Sequence, residues 1–329
     1  MGALIQNGVD WILAIQSLGS WLEYPMKFFT SLGSENFFFL VLPLVYWSVD
    51  ARLGLRIAFI LVTGTSLSCI AKFLFASPRP YWVSADVKPG SVESSFGLPS
   101  THAQNAAALW GTLAAGVPAW KRWAWVAAVV LAFLVGFSRL YLGMHFVHDV
   151  LVGWLIGYAL LFVFLKCWDP VAAWLKTKTF LQQVAIAFAF SLALIVAGLL
   201  SNAPLNGYTF PAAWTENALR AGPLPEPASI ETIFTAAGSF FGFALGAAWI
   251  ASRGGYQADG PLAKRALRYA IGLIGVLILW EGLGAVLPRG ETWLPLTLRY
   301  LRYTLVGFWM IGGAPGLFFH FNLARKPNM

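Results

Sequence analysis

The residues best suited to chemistry interrupt an apolar stretch at positions 138–157, SRLYLGMHFVHDVLVGWLIG. The stretch contains Arg139, His145, His148 and Asp149. Ionisable side chains at membrane depth are costly, so they are usually paired, face water and serve a function. His145 and Asp149 are four residues apart, which puts them on one face of a helix. The carboxylate could take the imidazole Nδ1–H, which would leave Nε2 free to act as a nucleophile.

Three cations accompany this pair. Lys72 and Arg79 lie in the segment KFLFASPRP, and Arg139 lies in the stretch above. Their one nearby acidic partner is Asp149. Three convergent cations at a membrane surface are costly unless a polyanion binds there, and arginine matches phosphate oxygens with paired donors. The pattern therefore predicts phosphoryl transfer.

The segment GLPSTHAQN supplies further polar groups. Pro99 and Ser100 indicate a helix start, with Ser100 or Thr101 as the cap. A helix N-terminus presents free backbone N–H groups and the positive end of its dipole to an anion. His102 lies in the first turn, where it could give a proton to a leaving oxygen and later accept one from water. His148 lies off the face of the histidine–aspartate pair, so we expect it to have a structural role.

The elements that position these groups must be membrane helices. Of the 329 residues, 58% are hydrophobic and 11% are charged, whereas a soluble domain carries roughly 25% charged residues. The sequence therefore predicts an all-α, polytopic integral membrane protein. The two cysteines, Cys69 and Cys167, lie in or beside apolar segments and offer neither a disulfide framework nor zinc-site spacing. We expect no metal and no other cofactor.

A membrane helix needs about 20 mostly apolar residues. Nine spans are predicted, near residues 36–49, 54–76, 102–117, 123–142, 147–166, 181–201, 231–251, 268–287 and 300–322. Residues 1–34 are interpreted as an interfacial amphipathic segment. A true span in this segment would reverse the orientation of every later helix.

The spans suggest a division of the chain. A six-helix catalytic core is predicted at 35–200, then a Pro-rich extracytoplasmic loop at 201–230 and a three-span extension at 231–329. The extension carries no motif, and it could complete a substrate gate or form a homodimer interface. Glu281 lies in the middle of one of its spans, where an acid is either functional or hydrogen-bonded to another helix.

Loop charges indicate the orientation. Thirteen of the 22 basic residues fall on one side of the membrane, and the positive-inside rule puts that side in the cytoplasm. They are Arg52, Arg56, Lys121, Arg122, Lys166, Lys176, Lys178, Arg253, Lys264, Arg265, Arg268, Arg325 and Lys326. The opposite loops carry Asp86, Glu93, Glu216, Glu226, Glu231 and Glu291. The C-terminus is therefore predicted to lie in the cytoplasm, and the three polar segments are predicted to meet at one extracytoplasmic site. Because the basic residues collect in cytoplasmic loops, the net charge of +8 reflects membrane topology, and we expect no nucleic-acid partner.

The motifs K-x6-R-P, P-S-x-H and S-R-x5-H-x3-D, in this order, resemble the signature of the type 2 phosphatidic acid phosphatases. That superfamily includes glucose-6-phosphatase and the vanadium haloperoxidases. The matching residues are Lys72, Arg79, Pro80, Pro99, Ser100, His102, Ser138, Arg139, His145 and Asp149. Family members usually have glycine where this chain has Thr101, whose hydroxyl could donate to phosphate or crowd the turn.

The resemblance implies a metal-independent phosphatase that forms a phosphohistidine on His145. Asp149 would orient His145, and His102 would protonate the leaving group. The phosphate would be held by Lys72, Arg79, Ser100, Thr101 and Arg139.

We expect the substrate to be a lipid phosphate or diphosphate in the cell membrane, such as undecaprenyl diphosphate or a phosphatidate-like lipid. The motifs lie at span ends, where a lipid can enter sideways while its phosphate meets the cations. A soluble sugar phosphate is an alternative, because RPYW and HFVH resemble glucose-6-phosphatase. Further alternatives are a lipid phosphotransferase, in which an alcohol replaces water, and a transporter that retains the fold.

Overall fold

The computed structural model describes residues 2–117 and 121–325, and all regular secondary structure in these ranges is helical. The predicted all-α class is therefore confirmed. In lipid, a helix is favoured because it satisfies its own backbone hydrogen bonds where no water is present to do so.

The helices follow one another along the chain with short connections. The first part contains α1 (Gly2–Gln16), α2 (Glu23–Ser31), α3 (Glu35–Ser48), α4 (Ala51–Phe75) and α5 (Pro80–Val83). The middle part contains α6 (Thr101–Ala115), α7 (Lys121–Tyr141), α8 (Val147–Lys176), α9 (Phe180–Asn202) and α10 (Ala212–Ala221). The last part contains α11 (Glu231–Ala251), α12 (Leu262–Leu277), α13 (Leu283–Val286), α14 (Trp293–Phe308) and α15 (Ala314–His320). π-helical turns at 278–282 and 309–313 connect α12 to α13 and α14 to α15.

Each of the nine predicted spans coincides with helix, but not all of them are long enough to cross a membrane. Among the described residues, six helical segments are long and apolar enough, and a seventh is possible if the bent pair at 20–48 counts as one span. The six are Ala51–Val83, Lys121–Tyr141, Val147–Lys176, Phe180–Leu205, Glu231–Ala251 and Leu262–Val286. The chain is thus a multi-span membrane protein.

The difference from nine has a physical reason. Helix α6 has 15 residues and α3 has 14, so each rises only about 22 Å against a hydrocarbon core of about 30 Å. The last predicted span is divided between α14 and α15 and carries Arg302. The spans were predicted from the apolar composition of the sequence, whereas the length of each helix depends on where the chain turns.

The described residues form two compact units, each discontinuous in sequence. The first lies within residues 1–37, 67–162 and 198–229, and it contains all three polar segments. The second lies within residues 38–66, 163–197 and 230–329. The division of the chain at 34, 200 and 230 stays a prediction.

In the first unit, α6 packs closely on α7 and α8. Its alanines at 106 and 107 form a buried cluster with Ala132 and Val135 of α7. Gly153 of α8 lies against the backbone of α6, where an added Cβ would come within 2.6 Å of the Ser100 carbonyl oxygen. This close approach brings the start of α6 beside the start of α8.

The N-terminal segment also packs on the first unit. Ile12 of α1 and Met26 of α2 are buried. The Gln16 amide donates to the Lys88 carbonyl at 2.7 Å and accepts from the Lys88 N–H at 3.2 Å. The segment predicted to lie at the membrane interface is therefore part of the same compact unit as the polar residues.

In the second unit, α11 packs along α14 and the turn after it. Gly246 lies so close to the backbone at Gly312 that an added Cβ would be 2.9 Å from its nitrogen. Trp47 and Tyr46 donate to the Met310 and Ile311 carbonyls, each at 2.8 Å. The π-helical turn alters the regular i to i−4 pattern, and these aromatic donors bond carbonyls within it.

Candidate active site

The His145–Asp149 pair lies at the junction of α7 and α8. Gly143 has a φ of 65°, and this left-handed conformation, which favours glycine, lets the chain reverse after α7. Asp149 lies in the first turn of α8, where its Oδ2 accepts from the Phe146 backbone N–H at 2.9 Å and lies 3.2 Å from His145 Nδ1. Both side chains are buried, and the hydrogen bond expected between them is present.

Arg79 determines the tautomer of His145. Its Nη1 lies 3.3 Å from His145 Nε2, and a guanidinium group can only donate. Nε2 is therefore the acceptor, so Nδ1 carries the proton and donates it to Asp149. Burial, followed by the charge of Arg79, holds the pKa of His145 well below its usual value. The imidazole is thus neutral, and its Nε2 lone pair accepts from Arg79.

The three predicted cations are all buried in the first unit. Lys72 lies in the last turn of α4, which ends at Phe75 before the proline-rich SPRP. Arg79 is the residue before α5, whose first residue is a proline. Arg139 lies in the last turn of α7. Their exposed fractions are 6%, 0% and 2%, so each must be satisfied by neighbouring acceptors.

The loop between α5 and α6 supplies most of those acceptors. Lys72 Nζ donates to the Phe96 carbonyl. Arg79 donates through Nε to the Ser95 carbonyl at 2.7 Å, and through Nη2 to the Ser95 hydroxyl at 3.0 Å and the Phe96 carbonyl at 3.2 Å. The loop therefore folds back over the cations.

Glu93, in the same loop, joins two of the cations. Its Oε2 lies 3.4 Å from Arg79 Nη2, and its Oε1 accepts from Arg139 Nη2. Burial raises the pKa of Glu93, but the charges of Arg79 and Arg139 outweigh burial and hold it below its usual range. The carboxylate is therefore ionised. The sequence showed Glu93 only as one of several acids in extracytoplasmic loops, without spacing that would have identified it.

The N-terminal segment contributes Thr30, which sequence reasoning also missed. Arg139 Nη1 donates to Thr30 Oγ1 at 2.8 Å. Arg139 Nε has no acceptor within the described residues. The Nε–Nη2 edge of this guanidinium thus carries one bond, to Glu93, although its two parallel donors match two oxygens of an anion.

The start of α6 is arranged as the PSTH motif predicted. Ser100 is the N-cap, with its Oγ 3.5 Å from the Ala103 N–H, and its own N–H donates to the Asp149 carbonyl at 3.0 Å. The Thr101 hydroxyl lies 2.7 Å from Ser68 Oγ of α4. Thr101 therefore uses its hydroxyl to join α6 to α4.

The two other histidines of the first unit differ in their surroundings. His102 is partly exposed in the first turn of α6, where loss of hydration, followed by the charge of Arg139, lowers its pKa to about 3, so the imidazole is neutral. His148 is stacked on Phe146 with ring centroids 5.3 Å apart. A structural role for His148 is consistent with this packing and stays a prediction.

The arrangement places all eight predicted site residues in one unit. Within the described part of the chain, no cluster of three histidine, cysteine, aspartate or glutamate side chains could hold a metal ion. What the site offers is an oriented imidazole, three cations and a helix N-terminus. These groups can attack a phosphorus atom and stabilise the negative charge on its oxygens.

Comparison with known proteins gives a family match over most of this chain. Residues 53–173 match the PAP2 superfamily, and residues 234–326 match the transmembrane extension of PAP2 superfamily phosphatases. The chain is 33% identical to phosphatidylglycerophosphatase B of Bacillus subtilis (strain 168) over 177 residues, covering 50% of this chain and 80% of that protein.

Two further similarities concern a mammalian protein and a solved structure. The chain is 29% identical to sphingosine-1-phosphate phosphatase 2 of Mus musculus over 204 residues, which is 60% of this chain and 56% of the mouse protein. It thus spans little more than half of that relative's length. The crystal structure of the first transmembrane PAP2 type phosphatidylglycerolphosphate phosphatase from Bacillus subtilis has a TM-score of 0.45 and 29% identity, covering 52% of this chain and 88% of that chain.

Proposed function

The chain belongs to the PAP2 superfamily, and on this premise we propose that it hydrolyses a lipid phosphate or diphosphate through a phosphohistidine on His145. The observation that supports this most directly is the position of His145 between Arg79 and Asp149. Its Nε2 is an acceptor 3.3 Å from a guanidinium, while its Nδ1 lies 3.2 Å from a carboxylate. An imidazole held in this tautomer has its lone pair where a phosphate bound to Arg79 would lie.

In the first step, Nε2 of His145 attacks phosphorus and the bond from phosphorus to the leaving oxygen breaks. The negative charge of the bound phosphate favours the protonated form of His102, and this imidazolium gives its proton to that oxygen, so the alcohol or phosphate leaves neutralised by one proton. Asp149 stabilises the positive charge that develops on the imidazole. In the second step His102 takes a proton from water, the hydroxide attacks phosphorus, and the P–N bond returns its electron pair to Nε2.

The cations hold the phosphate during both steps. Lys72, Arg79 and Arg139 neutralise its charge, and the N-terminal end of α6, with Ser100 at its cap, adds a favourable dipole. The Thr101 hydroxyl is bonded to Ser68, so the contribution of Thr101 to phosphate binding is its backbone N–H. No metal enters this scheme, and activity should persist in EDTA.

Two arguments favour a lipid. The relatives named above are named for lipid phosphates. The cations also lie at helix ends, with Lys72 in the last turn of α4 and Arg139 in the last turn of α7, where a lipid headgroup is accessible from the bilayer. Undecaprenyl diphosphate and phosphatidate-like lipids are the substrates we propose.

The test is phosphate release by the purified full-length chain in detergent with EDTA. Undecaprenyl diphosphate, phosphatidate and glucose 6-phosphate are compared, with His145→Ala as the blank and His320→Ala as the matched control. Release from a lipid, lost in the first variant and kept in the second, supports the proposal. Preference for glucose 6-phosphate would favour the sugar-phosphate alternative. Transfer of phosphate to an added alcohol, without release, would favour a phosphotransferase.

We also propose that the site faces the outside of the cell membrane and that the C-terminus is cytoplasmic. Ser94 is exposed in the loop beside the cations, and Arg325 is exposed near the C-terminus. In a Cys167→Ser background, a membrane-impermeant thiol reagent should label Ser94→Cys in intact cells. Arg325→Cys should be labelled only after the cells are opened. The reverse pattern would reverse the orientation.

A further inference from the structure

The phosphate site of this chain is already engaged by the protein's own acceptors. Arg79 and Arg139 share the Glu93 carboxylate, and Lys72 is bonded to the Phe96 carbonyl. Each of these donors is one that the proposed reaction assigns to the substrate phosphate. A phosphate cannot take the donors on Arg79 Nη2 and Arg139 Nη2 while Glu93 occupies both.

We propose that Glu93 is a built-in competitor for the phosphate site, displaced when a phosphorylated substrate binds and returned when inorganic phosphate leaves. This inference rests on the proposed function, because it concerns the same site. A carboxylate resembles two oxygens of a phosphate in size, charge and bonding geometry. It carries one negative charge where a phosphate monoester dianion carries two, so the fully charged substrate displaces it.

The loop is built so that the carboxylate can leave while the backbone stays. The Glu93 N–H donates to the Tyr81 hydroxyl at 3.1 Å, and that hydroxyl donates to the Glu93 carbonyl at 3.2 Å. Gly90 and Gly97, on either side, donate to the Leu142 and Ser77 carbonyls at 2.8 and 2.9 Å. The Glu93 side chain is about one-quarter exposed, so it can swing outward without disturbing these bonds.

Glu93 would therefore influence product release as well as binding. Three buried cations would hold inorganic phosphate tightly, and slow release would limit turnover. A competing carboxylate that returns to Arg79 and Arg139 keeps those cations satisfied without phosphate. The Glu93 carboxylate lowers the affinity of the site for both substrate and inorganic phosphate. Because the lipid tail of the substrate supplies additional binding energy, the substrate still binds while the free phosphate is released.

The test measures binding of inorganic phosphate by calorimetry to the full-length protein in detergent. Glu93→Gln keeps the size of the side chain but removes the charge, so a neutral hydrogen bond replaces a charge-assisted one. We expect phosphate to bind about tenfold more tightly. Asp86→Asn, which removes a charge from the exposed part of the same loop, should change phosphate affinity less than twofold.

A second variant keeps the proposal falsifiable if the first does not fold. Glu93→Asp retains the charge but withdraws the carboxylate by one methylene, so phosphate should again bind more tightly than to the wild type. Unchanged or weaker phosphate binding in the folded variants would overturn the competitor and make Glu93 a residue that holds the guanidinium groups for substrate.

The binding measurement needs no turnover, so the two proposals can fail separately. A chain that releases phosphate from no substrate, yet binds phosphate more tightly after Glu93→Gln, refutes the hydrolysis and retains the competitor. If the protein hydrolyses its substrate normally and Glu93→Gln leaves the phosphate affinity unchanged, the hydrolysis is supported and the competitor role of Glu93 is refuted.

The second unit contains an independent candidate site. A cavity of about 370 Å³ lies among the start of α11, the π-helical turn at 278–282, the loop after α13, and α14. Its charged lining residues are Glu231, Glu281, Arg289, Arg299 and Arg302. This volume lies at the small end of the range for ligand sites, and Glu281, the intramembrane acid noted in the sequence, is part of the lining.

The charges in this cavity are unevenly satisfied. Arg299 is bonded to Glu231 and, at 3.3 Å, to the Thr235 hydroxyl. Arg302 lies over the Tyr303 ring at 4.8 Å, and its buried Nε has no acceptor among the described residues. With Arg289 exposed beside it, the lining has a formal excess of one positive charge.

The geometry points to a binding site for a phosphate group in this cavity, with Arg302 and Arg289 as donors. Gly284 makes room for the Arg302 guanidinium group, because an added Cβ would come within 2.6 Å of Arg302 Nη1. Phosphate could reach the cavity as the headgroup of a phosphodiester lipid or as free phosphate, and both offer the same oxygens to the guanidinium groups.

The test is the shift in melting temperature of the full-length protein with short-chain phosphatidylglycerol or with inorganic phosphate. The lipid should stabilise the wild type and Arg325→Gln, and Arg302→Gln should lose most of that stabilisation. Arg289→Gln serves if Arg302→Gln does not fold. If Arg302→Gln loses only the stabilisation by the lipid, the ligand of the cavity is a lipid headgroup. If it also loses the stabilisation by inorganic phosphate, the cavity binds the free anion. Equal stabilisation of wild type and both variants would overturn the site.

Discussion

Each unit of this protein contains a fully buried arginine, but the two arginines are satisfied in different ways. In the second unit, Arg268 donates to the Tyr256 hydroxyl at 3.0 Å and to the carbonyls of Ala258 and Asp259 at 2.7 and 2.8 Å. In the first unit, Arg79 also donates to carbonyls, but one of its acceptors is the Glu93 carboxylate and another is His145.

The difference indicates what each buried charge is for. The backbone carbonyls around Arg268 belong to one short loop and cannot leave unless that loop unfolds, so Arg268 fixes the chain between α11 and α12. The carboxylate on Arg79 and Arg139 can be exchanged for another anion at little cost to the fold. A buried arginine whose acceptor is exchangeable is available for binding.

The strongest test of this contrast removes the proposed nucleophile, His145, from the first unit. His145→Ala should lower phosphate release to background, a loss of roughly ten-thousandfold or more, because no other group supplies the attacking lone pair. His320→Ala, in the second unit, should leave turnover unchanged because this histidine is exposed at the end of α15. Activity of His145→Ala within tenfold of wild type would rule out the phosphohistidine.

The next largest effect is expected at Asp149. Asp149→Asn should lower kcat by about a thousandfold to ten-thousandfold, because an amide can stabilise the wrong imidazole tautomer. Ser100 bonds the backbone of Asp149, which is unchanged in this variant, so the protein should still fold. Steady-state kinetics with circular dichroism would check both points, and a mild effect on kcat would make Asp149 structural.

A paired comparison of arginines tests the contrast itself. Arg139→Gln should lower kcat/KM by about a hundredfold to a thousandfold, with a small change in melting temperature. Arg268→Gln should do the reverse. It should destabilise the protein by roughly 2–4 kcal/mol through unsatisfied buried carbonyls, while kcat/KM of the folded fraction stays within about threefold. Similar profiles for the two variants would remove the distinction.

The smallest effect is expected at Thr101, where this chain departs from the family pattern. Thr101→Ala removes the hydroxyl bonded to Ser68 and should cost about 1 kcal/mol of stability. It should change kcat/KM by less than about threefold, because we propose that the backbone N–H of Thr101, and not its hydroxyl, contacts phosphate. Ser68→Ala should have the same effect on melting temperature, and a tenfold loss of kcat/KM in Thr101→Ala alone would return the hydroxyl to the phosphate.

Much of the fold was predictable because the membrane imposes a simple rule. Apolar runs in lipid must be helical, so all nine predicted spans coincide with helix. Helix length was less predictable. The 15 residues of α6 are mostly buried among neighbouring helices. A helix buried in protein and a helix exposed to lipid have the same apolar composition, so composition alone could not distinguish α6 from a full membrane span.

The candidate site was predictable where its residues form local patterns. His145 and Asp149 are four residues apart, so their pairing follows from helix geometry. Glu93 and Thr30 were not predictable. They bond Arg139 across 46 and 109 residues of sequence, and neither lies in a motif.

The sequence by itself therefore determined the all-helical membrane fold, the family, and the positions of the histidines and cations. These follow from composition and from short spacings, which are local properties of a chain. Only the tertiary structure decided which acceptors satisfy the buried cations, that Thr101 bonds Ser68, and that Arg79 lies against Nε2 of His145. Those outcomes depend on groups distant in sequence, because a buried charge must be paired with whatever acceptor folding brings beside it.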